Sequence, residues 1–83
     1  MNDKEILDIV NHFVYFVKYN KLQSANEIKK FVYTRNFTSE EIKEYKDLFT
    51  LYGEMNVYNC IISYINKTIP DKEILLKKIK GTI

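Results

Sequence analysis

The residues able to do chemistry are few and scattered along the chain. There is one cysteine, Cys60, and one histidine, His12, and they are too far apart to give the paired spacing of a structural zinc site. No glycine-rich phosphate loop and no nucleophile-elbow pattern occurs, so the sequence argues against an enzyme and calls for no cofactor or metal. Asp8 precedes His12 by one helical turn, where side chains meet, so an Asp8–His12 pair on a helix rim is one reading and a structural histidine the other. Glu40, Glu44 and Asp47 share one helical stripe, which serves either to attract a cation or as a solvated acidic face.

A different kind of site is suggested by missing charge. From Met55 to Asn66 no charged residue occurs, in a chain that is 29% charged. A helical projection sets Asn56, Asn59, Cys60 and Ser63 opposite an inward face of Tyr58, Ile61, Ile62 and Ile65. Two explanations fit: this helix is enclosed on both sides by its own chain, or its outer face is the centre of an interface, where charge is depleted and tyrosine enriched. On the second reading the candidate partner-binding residues are Asn56, Asn59, Cys60, Ser63 and Tyr64, extended by Tyr15 and Tyr19. Cys60 is then an accessible thiol.

These residues need elements to hold them, and the hydrophobic pattern supplies five helices. The stretch from Ile6 to Val17 is the most apolar, with nine of twelve residues hydrophobic or aromatic, and the rest of the chain is expected to pack around it. Ile6, Ile9, Val10, Phe13, Phe16 and Val17 keep helical spacing, and Leu7 and Val14 widen the stripe. The first helix starts behind Asn2, with Glu5 completing a capping box, and runs to about Tyr19. A second box at Ser24 and Glu27 opens a helix with Ile28, Phe31 and Val32 inward, ending near Arg35. A third at Thr38 and Glu41 opens a helix with Ile42, Tyr45, Leu48, Phe49 and Tyr52 inward, stopped by Gly53. The fourth spans about Met55–Asn66. Pro70 then breaks the chain, either Thr68 or Asp71 caps a fifth helix holding Ile74, Leu75 and Ile79, and Gly81 ends it.

The resulting fold is all-α, a single domain over residues 1–83: a compact bundle of five short helices, two antiparallel hairpins and a C-terminal closing helix. A shift of thirty-three residues aligns Ile9 with Ile42, Phe16 with Phe49, Tyr19 with Tyr52, Leu22 with Met55 and Ile28 with Ile61, which either marks duplicated hairpins or follows from two amphipathic hairpins of equal length. At this size a domain buries only roughly 60% of the surface its unfolded chain exposes. No segment holds the roughly 18 apolar residues of a membrane span, no secretory leader pattern opens the chain, and a single cysteine fits a reducing compartment. The reading is cytoplasmic.

Charge is patchy. The net value is only +2, yet residues 1–17 and 38–54 are acidic on balance while 18–37 and 55–83 are basic. The leading functional expectation is a non-catalytic protein that binds a larger protein and modulates or inhibits it, as small proteins of phages and other mobile elements do. A homodimer through the fourth helix satisfies the same residues. The second reading is a nucleic-acid-binding regulator using Lys77, Lys78 and Lys80 with the basic segment from Lys18 to Arg35. Against it, the third helix would offer Glu40, Glu41, Glu44 and Asp47 to phosphates, and lysines at a helix C-terminus also complement its dipole. In overall build, a short lysine-rich antiparallel helical bundle resembles the bacteriocin immunity proteins of Gram-positive bacteria. That resemblance implies protection of a sensitive strain against a peptide toxin; no site residues transfer from it.

Overall fold

Side-chain caps open four of the five helices where the sequence places them. In the computed structural model, which describes residues 1–34 and 37–82, α1 (Asp3–Tyr19) starts behind Asn2. The Asn2 side chain accepts from the Glu5 N–H at 2.9 Å, and the Glu5 carboxylate accepts from the Asn2 N–H at 3.4 Å. For α2 (Ala25–Thr34), Ser24 accepts from the Glu27 N–H at 3.1 Å, but the returning Glu27 carboxylate takes the N–H of Gln23. The third box is complete: Thr38 and Glu41 exchange bonds of 3.2 and 3.0 Å at the head of α3 (Ser39–Tyr52). Gly53, at φ 86°, is the single residue between α3 and α4 (Glu54–Ile65). Of the two candidate caps for α5 (Lys72–Lys80), Asp71 does the work, accepting from the Ile74 N–H at 2.8 Å. The expected end of the second helix near Arg35 lies outside the described residues.

Three helices close in the same way. At the ends of α1, α4 and α5 the N–H groups of Leu22, Thr68 and Thr82 donate to the carbonyls of Val17, Ser63 and Lys77. This is the Schellman arrangement, which needs a left-handed residue just past the helix. Gly81 fills that position after α5 at φ 73°, whereas Lys21 and Lys67 fill it after α1 and α4 at φ 55° and 64°.

The fold is all-α. α1 contributes the most buried side chains, with Ile6, Val10, Phe13, Val14, Phe16 and Val17 inward, but α4 is the helix that all others share, packing on α1, α2, α3 and α5. Enclosure accounts for the lack of charge at its buried positions, Val57, Tyr58, Cys60 and Ile61, since an unpaired charge there would be desolvated. Helix directions follow from the contacts. Phe49 meets Tyr58 across the α3–α4 turn. Asn56 bonds Ile79 while Tyr64 lies beside Lys72, so α5 runs antiparallel to α4. Asp3 pairs with Lys80 while Lys18 lies near Lys72, so α5 is antiparallel to α1 as well. α2 touches α1 through Phe31 on Phe16 and packs against α4.

The core is largely aromatic. Phe13 sits at its middle, its ring centroid 4.9 Å from Tyr45 and 5.9 Å from each of Phe16, Phe49 and Tyr58. Two inward assignments need correction. Ile42 is 39% exposed, where it lines the groove between α2 and α3. Val57 and Cys60 are buried, because α5 and α1 cover a side of α4 that its own periodicity leaves open. The thirty-three-residue alignment pairs positions in different settings: Leu22 lies in a loop and Met55 within α4, and Tyr19 is exposed where Tyr52 is half-buried.

Candidate functional site

Helix α5 divides the surface that the sequence assigns to a partner. It lies along the line Asn56, Cys60, Tyr64 of α4: the Asn56 amide donates to the Ile79 carbonyl at 3.2 Å, Cys60 comes close enough to Lys78 to feel its charge, and Tyr64 adjoins Lys72. The chain itself thus covers part of the charge-free face. Cys60 is only 8% exposed and is not the accessible thiol expected. Burial pushes its pKa above the ordinary value, against the smaller opposing pull of Lys78, so the reactive thiolate is disfavoured. Asn59 stays exposed on the far side of α4, and Ser63 is half-buried, its carbonyl accepting from Thr68 and Ile69.

The remaining three candidates come together. Tyr15 and Tyr19 are 67% and 74% exposed and stack on each other, with centroids 6.2 Å apart. Tyr64 lies next to Tyr15 in a depression of about 300 Å³ lined also by Asn11, Val14, Lys18 and Lys72. A second depression of about 430 Å³ continues from it, sharing Tyr64 and Lys18 and adding Ile65, Lys67, Ile69 and Pro70. Among the described residues, no carboxylate lines either. The three lysines come from three elements: the last turn of α1, the left-handed residue after α4 and the first residue of α5. Sequence reading missed all three for this site, since nothing along the chain signals that α1 and α4 end at the same end of the bundle.

The lysines named for nucleic acid are placed differently. Lys80 makes a 2.8 Å ion pair with Asp3 of α1, while Lys77 and Lys78 are exposed near the same end of α5. The basic segment beginning at Lys18 reaches Arg35, which lies outside the described residues. The acidic stripe of Glu40, Glu44 and Asp47 faces Glu5 and Asp8 of α1 across a groove of about 490 Å³ that also holds Lys43. Among the described residues no three His, Cys, Asp or Glu side chains form a group able to hold a metal ion. His12 does not pair with Asp8; its Nδ1 is 3.1 Å from the Tyr45 hydroxyl, which makes it a rim residue of the aromatic core.

A further groove of about 350 Å³ runs between α2 and α3, floored by Phe37, Tyr45 and Phe49. At its edge the Glu54 carboxylate accepts from Tyr33 of α2 at 3.2 Å and from the buried Tyr58 at 2.7 Å. Among the described residues, no helix is long and apolar enough to cross a membrane. Compared with known protein families, curated proteins and solved structures, the chain matches none.

Proposed function

We propose that this chain is a non-catalytic protein that docks on a larger protein and modulates or inhibits it by occupying its surface. The observation that carries this reading is the tyrosine face: Tyr15 and Tyr19 stand exposed and stacked beside half-buried Tyr64. Tyrosine supplies large contact area with few rotamers to freeze, and truncated tyrosines rank among the costliest interface losses. Stacking restrains Tyr15 and Tyr19 before binding, which lowers the ordering cost further.

The test is capture of partners by the tagged full chain from nuclease-treated and untreated lysate of its own host, with the Tyr15→Arg, Tyr19→Arg variant alongside. The expected outcome is a protein recovered equally with and without nuclease and lost at least about tenfold with the variant, as for a hot-spot residue. Both positions are exposed, so the melting temperature should stay within a few degrees. Recovery that depends on intact nucleic acid, or is unchanged by the variant, contradicts the reading.

A further inference from the structure

Beside the tyrosines lies a trough whose charge says what the partner must present. Resting on the docking reading above, we infer that the trough formed by Lys18, Lys67, Lys72 and Tyr64 receives a short acidic segment of the partner protein, with carboxylates meeting the three lysines and its backbone crossing the Tyr64 ring. The two depressions that share Lys18 and Tyr64 form one continuous path. None of the three lysines makes an ion pair among the described residues, whereas Lys80 does. Asp71, just ahead of α5, caps that helix by accepting from the Ile74 N–H.

Lys67 holds the left-handed position after α4 at φ 64°, as Lys21 does after α1 at φ 55° and Gly81 after α5. Glycine takes that conformation freely, so lysine there comes at some expense in stability. Of the two lysines, Lys67 lines the trough.

An acidic peptide suits this trough better than a nucleic-acid strand. Three lysines match a few carboxylates, but a strand carries charge along its whole length. Tracking along α1 would bring it from Lys18 toward Glu5 and Asp8 and the acidic groove they share with α3, where phosphates are repelled. The chain's one arginine, Arg35, leaves little capacity for bidentate phosphate contact. Tyr15 and Tyr19 also spend one ring face on each other, leaving less for stacked bases.

Fluorescein-labelled hexaglutamate, titrated with the full chain at low salt and followed by anisotropy, provides the test. Reversal of Lys18, Lys67 and Lys72 to Glu should weaken binding at least about tenfold, more than reversal of Lys29, Lys30 and Lys77, which changes net charge equally at exposed positions elsewhere. The corresponding Lys→Gln triple, which removes charge without reversing it, covers the case in which the first variant fails to fold. Lys67→Gly should raise the melting temperature while weakening binding. Equal effects of the two reversals, tighter binding of an oligothymidylate of twelve nucleotides, or a low-salt dimer that leaves hexaglutamate unbound would each overturn the inference. If the tyrosine variant abolishes capture but the trough variants do not, the docking reading stands and the acidic-segment inference falls.

Discussion

Replacing Phe13 by alanine is expected to remove most of the stability of the fold. The ring is fully buried and lies against four other aromatic rings drawn from α1, α3 and α4. Truncation removes its burial and leaves a cavity that large neighbouring rings, each held by its own contacts, refill poorly; such changes cost about 3–5 kcal/mol. Whole domains hold only about 0.05–0.15 kcal/mol per residue, so for this chain the loss approaches the total at the lower limit. Tyr15→Ala, two residues along the same helix but exposed, should cost within about 0.5 kcal/mol. Urea unfolding of both variants decides the matter. A cost below about 1.5 kcal/mol for Phe13→Ala would mean that the aromatic cluster is looser than its ring distances indicate.

Stability should also fall steeply in alkali, and two tyrosines are responsible. Burial raises the pKa of Tyr45 well above the ordinary tyrosine value, with the charges of Glu41 and Glu44 adding to it. Burial likewise raises that of Tyr58, followed by its bond to the Glu54 carboxylate. In the unfolded chain both release their protons near pH 10. Above that pH the folded state holds protons that the unfolded state has lost, so the stabilisation is complete below pH 10 and declines as pH rises. Each buried tyrosine should remove up to about 1.4 kcal/mol per pH unit, together nearly 3. The raised thiol pKa of Cys60 acts with the same sign from a lower pH.

The check is urea unfolding at pH 9 and pH 11, with tyrosinate absorbance recorded in parallel. Tyr45 and Tyr58 should ionise only as helicity is lost. Tyr45→Phe should remove about half of the decline, at the expense of the bond to His12. A stability that is flat between these pH values would contradict the buried placement of both hydroxyls.

Much of this fold is legible in the sequence because its signals are local. A capping box is an interaction over three residues, so Asn2, Ser24 and Thr38 identify helix starts without knowledge of the rest of the chain. The glycine stops at Gly53 and Gly81 are local in the same way. Lys21 and Lys67 do the same work invisibly, because lysine carries no turn signal and only the surrounding Schellman bonds place it in the left-handed region.

Lateral relations were less legible. Helical projection orders the residues of α4 around its axis, but which sectors are covered depends on where α5 returns after the loop, which the pattern of α4 does not encode. Hence Cys60 reads as outward and is buried. Ile42 illustrates the reverse error: it keeps the period of the α3 core stripe, but it lies at the groove between α2 and α3 and stays partly exposed.

The central claim is that a partner protein sits on the Tyr15–Tyr19 face, and site-specific photocrosslinking tests it most directly. Benzoylphenylalanine would be placed in turn at Tyr15, Tyr19 and Tyr33, and each full chain irradiated in nuclease-treated host lysate. Tyr33 is the matched control: it is an aromatic residue as exposed as Tyr15, 67% in both cases, but lies on α2 beside Glu54. The account predicts one common protein adduct from positions 15 and 19 and none from position 33. An adduct from position 33 alone would place the partner on the α2–α3 side and contradict the account.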